Sequence, residues 1–228
     1  MKIISFSLWG NDPKYCIGAL RNAELAQRIY PDWICRFHVA NTTVNFPSVV
    51  FQLSDMPNVE IVKLDNYRAN WGLMLARLEP ARDDNVEVMI SRDCDSRLSQ
   101  REKLAVDEWL ASDKLFHTMH DHPFHSVPIL GGMFGLKCRN IPAIEFPHQA
   151  HEWFIQHEER WQVDQDFLTQ KVWSIVKDSC MNHDDFYRHI WGGKPFPSPR
   201  NGLEFVGQVF DENENTVAEH LTALAKAL

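Results

Sequence analysis

The sequence predicts an α/β fold built on a mostly parallel central sheet flanked by helices. Two patterns carry that prediction. One is a strand-helix-strand opening over Ile3 to Val39; the other is an apolar run, Val86 to Ser91, that ends in two aspartates one residue apart, Asp93 and Asp95. Ligands of such sheets sit beyond the carboxyl ends of the strands, so the aspartates mark where a site is expected.

Ile3 to Leu8 alternates like a strand and gives way to a loop, Trp9 to Asn11. Asp12-Pro13 then offers an N-cap followed by a proline suited to a first helical turn. The helix runs to about Tyr30 with Ile17, Leu20, Leu25 and Ile29 near one face, and Pro31-Asp32 ends it before a second strand, Trp33 to Val39. A short helix is expected from Ser54 to Pro57, a third strand from Val59 to Leu64, and a helix from Gly72 to Leu78 that stops at Pro80. Val86 to Ser91 is the fourth strand. Ser99 and Glu102 have the spacing of a capping box for a helix to about Ser112. Leu115 to Met119 and Ile129 to Leu136 are expected strands on either side of a histidine-rich loop, and Gly131-Gly132 in the second suggests close backbone approach. A helical pattern from Ala150 to Val176 is interrupted near Val163 to Asp166. A strand at Cys180 to His183 closes the sheet, and Ala218 to Leu228 forms a terminal helix. With no repeat or linker, residues 1–228 read as one domain.

Twenty-three basic against thirty-one acidic side chains give a formal charge of −8 without a basic cluster, which argues against a nucleic-acid partner. Five scattered cysteines, Cys16, Cys35, Cys94, Cys138 and Cys180, fit reduced thiols and a cytoplasmic location. No apolar stretch approaches the roughly 20 residues needed to span a bilayer. The oligomeric state is not readable.

Side chains alternate across a strand, so Asp93 and Asp95 leave its end on the same side, where their charges repel unless a cation lies between them. Hard carboxylate oxygens select Mg²⁺ or Mn²⁺, ions that keep open positions for water and phosphate oxygens. The bland reading is a strand-end turn in which both carboxylates cap backbone amides. A rival catalytic reading is a haloacid-dehalogenase-type phosphatase, whose first Asp is the nucleophile. That motif carries Thr or Val where Arg97 stands, and it lies on the first strand rather than mid-chain.

Asp93-Cys94-Asp95-Ser96-Arg97-Leu98 resembles the metal and sugar-nucleotide motif of the GT-A glycosyltransferases, the nucleotide-diphospho-sugar transferases. Pro128 to Gly135 is similar to their acceptor-side strand. The segment His183-Asp184-Asp185 with His189-Ile190-Trp191-Gly192-Gly193-Lys194-Pro195-Phe196 resembles the stretch that supplies a metal-binding histidine and a diphosphate-binding lysine. In glycogenin-like members that stretch reads His-x-x-Gly-x-x-Lys-Pro; counted from His189 it is one residue short here, which leaves His183 an equal candidate. With Phe205 to Asp211, these segments look most like small GT-A enzymes of bacterial and large-virus glycan synthesis. The resemblance implies metal-dependent transfer of a sugar from a nucleoside diphosphate donor, UDP-linked, to a hydroxyl of a glycan or other acceptor. It implies Mn²⁺ or Mg²⁺ on Asp93 and Asp95 with His183 or His189, and diphosphate on Lys194.

Arg68 and Arg77 are further diphosphate candidates. Ser7, Trp9 and Trp71, in segments facing the expected site, are candidates for the donor pocket. Asp164 and Asp166 open a helix, where one caps backbone amides and the other is a candidate general base if the reaction inverts. The His117, His120, His122, His125 and Asp121 cluster matches no standard zinc spacing. Asp121 and His122 remain acceptor-side candidates, since such loops often hydrogen-bond hydroxyl-rich acceptors, and the resemblance adds Gly131 and Gly132; it also implies a nucleotide-binding half at about 1–98 and an acceptor-side half at about 99–228. Two other classes stay open: a sugar-nucleotide pyrophosphorylase or phosphatase, and a catalytically silent glycan-binding domain. Trp9 to Asn11 lacks the Gly-rich basic loop that handling a triphosphate requires.

Overall fold

The computed structural model describes residues 1–40, 47–64, 71–139, 145–157 and 160–228. Strands β1 (Lys2–Leu8), β2 (Ile34–Ala40), β3 (Val59–Leu64), β4 (Val88–Ser91), β5 (Phe116–His120), β6 (Phe134–Lys137) and β7 (Cys180–Asp184) form one sheet in the order β3-β2-β1-β4-β6-β5-β7. The β3, β2, β1 and β4 pairings are parallel, as is β5 with β7, whereas β6 runs antiparallel to both its neighbours. The sheet is thus the mostly parallel one that the periodicity predicts, and β4 sits centrally in it.

Helix α1 (Pro13–Ile29) begins as the Asp12-Pro13 pair requires, with the Asp12 carboxylate accepting from the Lys14 amide at 2.9 Å. Its buried face, Cys16, Ala19, Ala23 and Ala26, packs against Phe6 and Phe37, which stack at 4.7 Å, in one apolar core. The other face of the sheet is covered by a 3-10 segment, Trp71–Arg82, and by α4 (Phe146–Gln156) and α5 (Val163–Phe167). The helix expected at Ser54 to Pro57 lies just before that position, as α2 (Pro47–Ser54). The segment around Pro80 winds as 3-10 rather than α-helix. After α5 the chain passes through a π-type turn, Leu168–Val172, into α6 (Trp173–Val176). Short α7 (Arg188–Trp191) and terminal α8 (Ala218–Ala227) follow β7.

Two expectations change in detail. Ser99 caps α3 (Gln100–Leu110) by accepting from the Glu102 amide at 3.2 Å, but the buried Glu102 carboxylate does not turn back to close the box. It accepts from Arg92 Nε and the Tyr30 hydroxyl, each at 3.0 Å, because a buried guanidinium offers a stronger partner than a backbone amide. Gly131 and Gly132 lie not inside a strand but in the turn before β6, which frees them to approach the end of β4. No helix of the described residues is long and apolar enough to cross a membrane.

Candidate active site

Beyond β4 the chain turns sharply through Arg92 to Ser96, and α1 fixes that turn. The buried amide of Asn22 donates to the carbonyls of Cys94 (3.2 Å) and Ser96 (2.8 Å), while its oxygen accepts from the Leu98 amide at 3.0 Å. A Cβ at Gly18 would stand 2.0 Å from the Cys94 carbonyl oxygen, so only glycine lets the helix come this close. The two carboxylates therefore project from a rigid support.

Among the described residues each carboxylate has one cationic partner. Asp93 pairs with Nη1 of Arg77, a residue of the 3-10 segment whose side chain is 3% exposed. The same guanidinium donates through Nη2 to Asp164 at 2.8 Å, so one buried arginine joins the first aspartate of the pair to the start of α5. Asp95 pairs with Lys14 Nζ at 3.0 Å, and its backbone carbonyl accepts from the Phe210 amide at 2.8 Å. Burial raises the pKa of Asp95, the charge of Asp93 adds to the rise, and Lys14 opposes it. Burial likewise raises that of Asp164; Arg77 opposes this and Asp93 adds to it.

The glycine pair belongs to this geometry. A Cβ at Gly132 would meet Asp93 Oδ2 at 2.0 Å, and one at Gly131 would lie 2.8 Å from Arg77 Nη2 and 2.9 Å from Asp164 Oδ2. Gln165 holds the turn, accepting from the Gly131 amide at 3.1 Å and donating to the Ile129 carbonyl, while the Ser91 hydroxyl donates to the Gly131 carbonyl at 2.6 Å.

Two cavities meet at Arg77 and Asp93. The first, about 260 Å³, is lined by Ser7, Trp9, Asp12, Tyr15, Trp71 and Cys94; Trp9 and Trp71 stand edge to face at 5.9 Å. The second, about 240 Å³, runs past Gly131 and Gly132 to Asp164, Gln165 and Trp161. A larger cavity of about 690 Å³ lies between α1 and the Ser198 to Glu214 stretch, but none of Asp93, Asp95 or Asp164 lines it.

Several residues read from the sequence lie elsewhere. His183 Nε2 approaches Glu108 of α3 at 3.1 Å, His183 Nδ1 approaches His117 at 2.8 Å, and Lys194 pairs with the same glutamate. Lys194 is thereby tied to α3 and to a bridge with His183 rather than set beside Asp93. His189 is exposed on α7. Among the described residues no group of three or more His, Cys, Asp or Glu converges on a metal position; His183 is held by Glu108 and His117, and His189 is exposed. Two carboxylates nevertheless fit Mg²⁺ or Mn²⁺, which take one or two protein carboxylates and fill the remaining positions with water and phosphate oxygens.

Asp121, expected to face an acceptor, is wholly buried. It accepts from Arg101 through both oxygens at 2.9 Å, from Arg200 at 2.5 Å and from the Val206 amide at 2.8 Å, which leaves no surface for a ligand. His122 is buried too, its Nε2 against the His220 carbonyl at 2.9 Å and its Nδ1 accepting from the Phe124 amide at 3.0 Å. Asp166 points outward to Arg160. Arg68 lies outside the described residues. Asp121→Asn is expected to cost about 2 kcal/mol, the usual worth of hydrogen bonds to a charged group. Urea unfolding measures that loss.

Lys14, Tyr15, Asn22 and Gln165 are site residues that sequence reasoning does not single out. Asn22 carried a usable signal, a polar side chain on the apolar face of a helix among Ala19, Ala23 and Ala26. Lys14 carried another, as the basic residue nearest the loop after β1.

No family model matches the sequence, and no curated protein matches it either. Among solved structures, the galactosyltransferase LgtC in complex with donor and acceptor sugar analogues superposes with a TM-score of 0.50 at 14% identity, covering 100% of this chain and 96% of that one. An active-site mutant of LgtC gives 0.52 at 13% identity over the same shares. The 4-diphosphocytidyl-2C-methyl-D-erythritol synthase of Anaerococcus prevotii gives 0.50 at 9% identity, covering 83% of this chain and 88% of that one.

Proposed function

We propose, from the GT-A fold that this chain has, that it is a glycosyltransferase moving a sugar from a nucleoside diphosphate donor, UDP-linked, to a hydroxyl of a glycan or related acceptor. The observation that carries this reading is the Arg77 bridge: one buried guanidinium holds Asp93 at the donor cavity and Asp164 at the second cavity, where two substrates would meet. Trp9, Tyr15 and Trp71 offer aromatic walls for a nucleoside, and Ser7 is held in that wall by its bond to the Leu73 carbonyl at 2.7 Å. Asp93 and Asp95 are the residues that would hold Mn²⁺ or Mg²⁺. When bound there, the ion neutralises charge on the diphosphate.

In this reading Asp164 orients the acceptor hydroxyl and, in an inverting reaction, deprotonates it; one of its oxygens accepts from Arg77 and its side chain lines the second cavity. Burial raises its pKa, which makes its ionised form a stronger base than an ordinary aspartate. The cytidylyltransferase-like alternative is disfavoured by the loop after β1, where Trp9 to Asn11 carries one glycine and no basic residue.

Calorimetry of UDP binding tests the donor half. UDP is expected to bind at least about tenfold more tightly with Mn²⁺ than with EDTA, and Asp95→Ala is expected to remove that difference without unfolding the chain. Equal affinity in Mn²⁺ and EDTA for the parent protein would sink the metal reading.

A further inference from the structure

The two counter-charges at the aspartate pair are not equivalent. Arg77 is buried, spans Asp93 and Asp164, and is tied a third time by Nε to the Met74 carbonyl at 3.1 Å. Leaving Asp93 would strand two carboxylates at once. Lys14 stands in the first turn of α1, 28% exposed, and among the described residues its ion-pair partner is Asp95. A flexible four-carbon stem carries that ammonium, which also lies over the Tyr15 ring, 4.4 Å from its centroid. Tyr15 lines the donor cavity. The lysine therefore has a short path from Asp95 toward the place where a diphosphate would lie.

We infer that Lys14 is a built-in competitor of the divalent cation for Asp95: the ion reaches the aspartate pair by displacing this ammonium, which then turns to the donor diphosphate. This rests on the proposed metal-dependent use of the pair. An ammonium in contact with Asp95 Oδ2 repels a divalent ion brought to the same carboxylate and weakens the pull of that carboxylate on the ion. The nucleotide-free protein holds Mn²⁺ weakly for that reason. A diphosphate raises Mn²⁺ affinity by giving both the ion and the released ammonium anionic oxygens, and by linkage Mn²⁺ raises nucleotide affinity by the same factor.

Titrating Mn²⁺ into the nucleotide-free protein, followed by the electron-spin signal of the free ion, tests the competition without any turnover. Lys14→Met removes the charge and keeps the stem, and it is expected to tighten Mn²⁺ binding at least about tenfold, while Lys14→Arg stays within about twofold of the parent. Adding Asp95→Asn to Lys14→Met is expected to abolish the gain, which ties the effect to this carboxylate. Thermal unfolding of each variant confirms that the titrated chains are folded. If UDP binding requires Mn²⁺ while Lys14→Met leaves Mn²⁺ affinity unchanged, the competition is wrong and the metal reading stands. If UDP binds equally in Mn²⁺ and in EDTA, the metal reading fails and the competition falls with it.

Discussion

Arg77→Met is expected to cost about 3 kcal/mol or more of stability and to abolish detectable sugar transfer. The substitution keeps much of the apolar stem but removes the guanidinium from between Asp93 and Asp164. Asp164, with a side chain only 13% exposed, is then left without its counter-charge and close to a second carboxylate. Removing one member of a buried pair typically costs about 3–5 kcal/mol because the remaining charge stays poorly solvated. Lysine is not an adequate replacement, since a single ammonium cannot donate in two directions with the fixed fork of arginine. Pairing Arg77→Met with Asp164→Leu should restore part of the lost stability but none of the activity. Urea unfolding of the single and double variants measures this, and a loss below about 1 kcal/mol in the single variant would show that Arg77 is not the keystone of the site.

Asp164→Asn is expected to lower kcat by about a hundredfold or more while UDP affinity stays within about twofold. Asparagine keeps an oxygen for Arg77 to donate to, so the bridge retains its shape, but the amide cannot take a proton from an acceptor hydroxyl. Asp166→Asn is the internal control. Its carboxylate faces Arg160 at the surface, and turnover should stay within about twofold of the parent. Steady-state kinetics on an accepted sugar acceptor decides the matter. Full activity in Asp164→Asn would reduce Asp164 to a structural partner of Arg77.

The sequence separates Asp164 from Asp166 only by one position, and both fit the first turn of a helix. Which of them faces the site depends on how α5 seats against the 3-10 segment, and Arg77, lying 87 residues away in the chain, makes that choice visible. The same holds for the C-terminal segment. His183 and Lys194 are adjacent through a bridge from β7, and both engage Glu108 of α3 rather than the aspartate pair. Local spacing near His189 carries no information about a glutamate on another helix. The histidine-rich loop around Asp121 marks it as an acceptor-side candidate. Two arginines reach it from α3 and from the stretch after β7, and they turn an exposed-looking charge into a buried one.

Chain-local physics determined where most of the strands run, the starts of α1 and α3 and the position of the aspartate pair. Alternation over Ile3 to Leu8, the apolar run Val86 to Ser91, the Asp12-Pro13 cap and the Ser99 cap each act within a few residues, so each is written in the order of the side chains. The tertiary structure decided the charge partners: Lys14 for Asp95, Arg77 for Asp93 and Asp164, and Glu108 for His183 and Lys194. Coulomb interactions act on distance in space and are strengthened by burial, and neither quantity exists for a residue until the sheet has brought distant segments together.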